Sequence, residues 1–255
     1  MSPPLYPAGT ARAISRSLRV YHGDKSRQPA MDALYRRFLH PGDLAFDIGS
    51  HVGDRISSFR RLAARVVALE PQPGPARALR LIHGRDPDVT LLRSACGAQI
   101  GEITFRINIA NPTVSTASTD FIGAAAGAAG WEGQRWDHEV TVPVTTLDAL
   151  ISRFGRPALV KVDVEGFEAE VLRGLSTQLP AITFEFTTIQ RAVAFDCLAI
   201  LSRLGPYRFN LALGETQSLV FDAPVDPEAM ARHIAGLPHE ANSGDIYAIL
   251  ETSDR

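Results

Sequence analysis

Apolar positions along this chain fall into two kinds of pattern. Short unbroken runs occur at Leu44-Ala45-Phe46, Val66-Val67-Ala68-Leu69, Val89-Thr90-Leu91-Leu92, Leu159-Val160 and Ala181-Ile182-Thr183-Phe184. Runs without polar alternation read as strands buried on both faces. Between them, apolar residues recur every three or four positions. This spacing predicts helices over residues 29–39 (Met31, Leu34, Tyr35, Phe38 and Leu39), 54–64, 73–82, 169–175 and 192–204, the last with Phe195, Leu198, Ala199 and Leu201 towards the core. A further helix starts at Thr145, Thr146 and Asp148, and strands are predicted over 102–107 and 140–144. Strand and helix in alternation imply an α/β fold, with a mostly parallel sheet and helices on both faces. Towards the end, residues 207–213 and 218–221 read as an antiparallel pair, 227–237 as a helix and 245–250 as a last strand.

Two segments break the alternation. Residues 1–28 are rich in Pro and Arg and are expected to be irregular with short helical pieces. Residues 108–136 hold a Gly/Ala-rich run and both tryptophans, Trp131 and Trp136. A long irregular insertion of this kind is expected to be a lid or binding loop. The organisation is then an N-terminal extension with a helix (1–40) and one α/β domain (41–255) with an insert at about 108–138.

Composition narrows the partners. The chain has 255 residues and a formal net charge of −2, which supports neither a general nucleic-acid partner nor a membrane surface. The stretch from Arg12 to Arg37 is locally basic, and a solvated extension or helix face is the expectation there. Two cysteines, Cys96 and Cys197, in no metal-binding spacing fit a reducing compartment. With no apolar signal core and no membrane-length span, a soluble cytoplasmic protein is expected.

The chemistry concentrates in two stretches. In the first, the apolar run ends in Asp47-Ile48-Gly49-Ser50-His51-Val52-Gly53. Strand, glycine turn and helix in that order build a nucleotide pocket at the carboxyl edge of a parallel sheet. The pattern D-x-G-x-x-x-G departs from the dinucleotide fingerprint G-x-G-x-x-G. An acid at the strand tip repels a pyrophosphate and suits a sulfonium or ammonium ligand, which favours S-adenosylmethionine (SAM) over NAD. Glu70-Pro71 ends the next strand about 20 residues on, the spacing of an acid that binds ribose hydroxyls. Adenine would then lie near Ser94 and Ala95. In the second stretch, Lys161, Asp163 and Glu165 alternate at the end of an apolar strand. Such charges are costly unless paired or functional. The chain has two lysines, Lys25 and Lys161, among many arginines. A lysine can lose its proton when desolvated, and an arginine cannot.

These motifs resemble the FkbM family of methyltransferases. The first motif is similar to D-I-G-A-N-x-G, with Ser50 and His51 replacing the usual alanine and asparagine. Glu70-Pro71 matches the second strand end. Thr146-Leu147-Asp148, followed by Lys161-Val162-Asp163-Val164-Glu165-Gly166-Phe167-Glu168 through Gly174, matches the long signature T-L-D…K-x-D-x-E-G-x-E-x-x-V-L-x-G. The strand ending at Glu185 and Leu204-Gly205-Pro206-Tyr207 also match, so the resemblance covers residues 41–221. It implies a Rossmann-like fold, SAM as cofactor, and methyl transfer to a hydroxyl of a sugar, glycoconjugate or secondary metabolite. The acceptor would be a small molecule or saccharide. Asp47, Gly49, Ser50, His51, Gly53, Glu70, Pro71, Ser94, Ala95 and Asp163 are the expected cofactor residues. Lys161 as base and Asp163 as its orienter lead the catalytic candidates, followed by Glu165 and His51. Asn111, Ser115, Trp131, Trp136 and Glu185 are the expected substrate residues, and no metal is assigned. The rival readings are a non-catalytic SAM-binding protein and an NAD(P)-dependent oxidoreductase.

Overall fold

The structure, a computed structural model, describes residues 7–251. Its strands are β1 (Leu44–Ile48), β2 (Arg65–Leu69), β3 (Val89–Leu92), β4 (Ala95–Cys96), β5 (Gly101–Ile107), β6 (His138–Thr145), β7 (Leu159–Val162), β8 (Ala181–Thr187), β9 (Tyr207–Leu213) and β10 (Ser243–Leu250). The five buried apolar runs become the five strands of a parallel block, and the full seven-stranded order is β3-β2-β1-β7-β8-β10-β9. β10 runs antiparallel to both β8 and β9. β4, β5 and β6 form a separate three-stranded sheet in the order β4-β6-β5.

The helices are α1 (Thr10–Gly23), α2 (Gln28–Tyr35), α3 (Asp54–Arg61), α4 (Pro73–His83), α5 (Thr119–Ala125), α6 (Leu147–Phe154), α7 (Glu168–Arg173), α8 (Arg191–Leu204) and α9 (Pro227–Gly236). Side chains alternate across a strand. Phe46, Ile48, Val160 and Val162 therefore face one core, packed with Leu147, Leu172, Leu198 and Met230. Ala45, Val66 and Leu159 face the other, with Leu34, Tyr35, Ile56, Phe59 and Leu79. Asp47 and Lys161, one residue out of phase with Phe46 and Val160, belong to that second face. Among the described residues no helix is long and apolar enough to cross a membrane.

The structure corrects four expectations. α1 is one continuous helix of 14 residues, not a set of short pieces. Residues 218–221 form no strand, and β9 pairs instead with β10. The Asn210 side chain takes both backbone groups of Phe221, accepting its N–H at 3.1 Å and donating to its carbonyl at 2.7 Å, which removes them from any ladder. On α8 the buried stripe is Ala194, Cys197, Leu198 and Leu201, whereas Phe195 and Ala199 face solvent. The insert contains a short helix, α5, whose Ser118 cap accepts the Phe121 N–H at 3.0 Å while the Phe121 ring is fully buried.

Candidate active site

Strand order reverses between β1 and β7, and in an open α/β sheet the crevice at such a switch point is where ligands bind. Asp47 and Lys161 sit in register there. Past β1 the chain turns through Gly49, at φ +86°, so close to β7 that an added Cβ would lie 1.8 Å from the Asp163 carbonyl oxygen. The Gly49 and Ser50 N–H groups both donate to the Leu69 carbonyl at 2.9 Å, which ties this turn to the tip of β2. Gly53, at φ +84°, then caps α3.

Glu70 is buried beside this turn. One oxygen accepts the His51 N–H at 2.9 Å and the other the Gln72 N–H at 2.7 Å. The Gln72 side chain also reaches this carboxyl, whose oxygens, with two lone pairs each, keep capacity to accept from a ligand hydroxyl. Burial outweighs those bonds and pushes the Glu70 carboxyl up to about 8. Burial likewise raises Asp47 to about 7, against the opposing pull of Lys161, and Asp47 Oδ2 has no hydrogen-bond partner.

His51 holds the turn at φ +46°. Asparagine, aspartate and histidine are the side chains found most often in this left-handed region after glycine. That accounts for His51 standing where the family has asparagine. Its ring meets Tyr21 edge-on at 5.4 Å, and Nε2 is buried without a partner. Burial lowers its pKa to about 4, so the imidazole is neutral.

Lys161 is 1% exposed, and its Nζ donates to Asp163 Oδ2 at 2.9 Å and to Asp245 Oδ1 at 3.1 Å. Burial alone would discharge it, but the two carboxylates override burial and hold its pKa above the ordinary lysine value. A lysine held charged by two carboxylates is poorly placed to accept a proton, which argues against its expected role as base. The carboxylates supply the alternative. Asp163, Glu165 and Glu185 each bring an oxygen within 4.8 Å of the others. Lys161 holds Asp163 low against its burial. Glu165 and Glu185 are raised, first by burial and then by the neighbouring carboxylates. The turn that carries Glu165 (φ +56°) is fixed by Thr116 Oγ1 donating to its carbonyl at 2.7 Å and by Glu168 accepting the Val164 N–H at 3.0 Å.

A cavity of about 100 Å³ gathers Asp47, Gly49, Ser50, His51, Glu70, Pro71, Ser115, Lys161, Asp163, Glu165 and Glu185. Beside it, Ser94 and Ala95 line a small, mostly apolar hollow with Leu69, Pro71, Phe105 and Phe167. Three expected substrate residues lie elsewhere. Trp136 Nε1 donates to the Val114 carbonyl at 2.7 Å, and Trp131 and Trp136 both pack edge-on against Phe121. The tryptophans therefore anchor the insert on the core. The Asn111 N–H is taken by Asn108 Oδ1 at 2.9 Å, and its side chain is not among the lining groups. Tyr21 of α1, Arg55 and Glu215 line the cavity without having been foreseen. Arg55 bonds Asp54 at 2.6 Å and Glu215 at 3.0 Å, closing the cavity between α3 and the loop after β9. The only advance signal was Asp54-Arg55, directly after the glycine turn.

The model of the methyltransferase FkbM domain matches residues 47–211, from the first strand tip into β9. The chain belongs to the FkbM methyltransferase family. A relative, the hexuronic acid methyltransferase AglP of Haloferax volcanii, is 27% identical over 154 residues, which is 59% of this chain and 57% of the relative. The chain thus aligns with little more than half the length of that protein. Among solved structures, precorrin-6y C5,15-methyltransferase from Geobacter metallireducens superposes with a TM-score of 0.43 at 14% identity, covering 88% of this chain and 87% of that one. A TehB-like SAM-dependent methyltransferase from Corynebacterium glutamicum gives 0.44 at 10%, covering 87% and 88%. SAM is the cofactor of this FkbM domain, and the site fits it. The unpartnered Asp47 oxygen and the surrounding carboxylates suit an ammonium and a sulfonium, the free Glu70 lone pairs suit a ribose, and the apolar hollow beside Glu70 suits a purine.

Proposed function

We propose that this chain O-methylates a hydroxyl of a saccharide or glycoconjugate, using the Glu165–Glu185 pair to take the hydroxyl proton. When bound, SAM supplies an electrophilic methyl group on sulfur. Asp47 and His51 would hold its amino-acid end, Glu70 its ribose, and the hollow at Ser94 and Ala95 its adenine. The acceptor hydroxyl must reach near-attack distance, and such positioning supplies most of the acceleration available to a displacement of this kind. Ser115, whose Oγ accepts the Asn108 N–H at 3.1 Å, keeps its own hydrogen to offer the acceptor. The hydroxyl proton then passes to the Glu165 or Glu185 carboxyl group in its ionised form, which burial and the neighbouring carboxylates make more basic than an ordinary glutamate. Lys161 acts as a positioning residue, fixing Asp163 against the glycine turn. The observation that carries this reading is the raised Glu165–Glu185 pair beside the cofactor cradle. The printed activity of the Haloferax relative supports a saccharide acceptor.

The test is incubation with methyl-labelled SAM and a panel of sugars, uronic acids and glycosides, with products read by mass spectrometry. Methylation at a hydroxyl, lost in Glu165→Gln while S-adenosylhomocysteine still binds, is expected. Methylation confined to carboxyl or amine groups would overturn the hydroxyl assignment. Full activity in Glu165→Gln and Glu185→Gln would overturn the base.

A further inference from the structure

A second hollow, of about 400 Å³, lies between α1 and the insert. Its walls carry Arg12 and Arg16, one turn apart on α1, and Arg135 from the insert, with Asn108 and one acid, Asp137. All three arginines are exposed. Arg16 spends one donor on the Ala110 carbonyl. Among the described residues, Arg12 and Arg135 have no hydrogen-bond or ion-pair partner. Three guanidiniums against one carboxylate leave this groove positive on a chain whose net charge is −2.

The groove and the reaction cavity share a wall. Asn108, Ile109 and Ala110 line the groove, and Thr113 and Ser115 of the same segment line the cavity. Their electrostatics are opposed. Acidic side chains crowd the cavity, where Lys161 and Arg55 are already paired with carboxylates, while the neighbouring guanidiniums attract an anionic group. Guanidinium forks match phosphate oxygens in pairs, and the hollow is of the size that takes a small ligand. We infer that this groove binds a diphosphate carried by the methyl acceptor, leaving the sugar to enter the acidic cavity next door. The inference rests on the saccharide reading above and narrows it to a diphosphate-activated sugar. It also replaces the expectation that the basic N-terminal stretch is only a solvated face.

Calorimetric titration of the S-adenosylhomocysteine-loaded protein with inorganic pyrophosphate and with UDP tests this. Both are expected to bind. In the triple variant Arg12→Ser/Arg16→Ser/Arg135→Ser both should weaken by at least about tenfold, the scale of one or two lost charge-assisted hydrogen bonds. S-adenosylhomocysteine affinity should not change, which shows that the exposed substitutions leave the fold intact. UDP binding tighter than pyrophosphate supports a nucleotide carrier, and equal affinities support a diphosphate on another carrier. Binding of neither, or undiminished binding in the triple variant, overturns the groove. Failure of the saccharide reading would register separately, as absence of methyl transfer to every sugar while the anion titration still reads out.

Discussion

Replacing Lys161 with methionine isolates what the buried ammonium does. Methionine is close in length and leaves the packing of β7 nearly intact. What disappears is the charge that pairs directly with Asp163 at 2.9 Å and Asp245 at 3.1 Å. Removing one partner of a buried ion pair costs about 3–5 kcal/mol, because the remaining charge keeps its desolvation penalty and loses its compensation. For a domain of this size, 1 kcal/mol moves the melting temperature by about 2–4 °C, so Lys161→Met should melt about 6–20 °C lower at neutral pH.

The deficit should also depend on pH in a defined direction. In the wild type Lys161 holds Asp163 below the ordinary aspartate value, so that group stabilises the fold above its unfolded pKa and the contribution fades as pH falls through the lower folded pKa. In the variant the abandoned carboxylates rise in pKa and are relieved by protonation. The gap between wild type and variant should therefore be wide at pH 8 and narrow towards pH 4. Adding Asp245→Asn to Lys161→Met should recover part of the loss. Melting curves by calorimetry across this range suffice. A variant within about 2 °C of wild type at pH 8 would refute the idea that this lysine is a structural cation, and would restore it as a candidate base.

Other expectations follow from the same geometry. Gly49→Ala places a methyl group 1.8 Å from the Asp163 carbonyl oxygen, so it should abolish S-adenosylhomocysteine binding in calorimetry and lower the melting temperature; binding within twofold of wild type would refute the close approach of β1 and β7. Asp47 and Glu70 are raised to about 7 and about 8, so the ligand-free protein should lose stability as pH rises from about 4 to 8, and Asp47→Asn should flatten that slope in a melting series. Methyl transfer should rise with pH through the elevated carboxyls of Glu165 and Glu185. Chelation with EDTA should leave the rate unchanged, since the raised pKa values of both groups favour relief of their repulsion by protonation; a loss restored by a divalent cation would show that a metal does so instead. Trp131→Ala should lower stability without changing the Michaelis constant for the acceptor.

The parallel block could be read from the chain because its central strands are buried on both faces, a pattern that a surface element does not produce, whereas the edge strand β3 is half-buried and was legible only from its apolar run. The cofactor residues were legible for a related reason. They are consecutive at strand tips, so one local motif such as 47–53 carries several contacts at once. Residues brought in by tertiary packing were not legible. Tyr21 reaches the cavity only because α1 folds back over it, and Glu215 because Arg55 draws the loop after β9 inward. The tryptophans were ambiguous for the opposite reason. In an irregular Gly/Ala-rich stretch an aromatic ring looks like a ligand platform, yet such a stretch has few other groups with which to attach itself to the core. Phe121 buried between the two indoles shows that attachment being made.

His51 joins the two scales. In the family pattern it is a lost asparagine, which reads as a damaged ligand contact. In the fold its first constraint is the backbone angle, φ +46°, and its N–H is what Glu70 accepts. A residue there must tolerate a left-handed turn before it can serve a ligand, and histidine does so while adding a neutral ring that lines the cavity and whose Nε2 is buried without a partner. On this account His51→Asn should preserve both melting temperature and S-adenosylhomocysteine affinity. His51→Val should lose about 1–3 kcal/mol of stability, because a β-branched side chain is strained at positive φ. If valine were tolerated as well as asparagine, the turn would not be conformationally selective. The substitution would then have to be explained through the side chain alone.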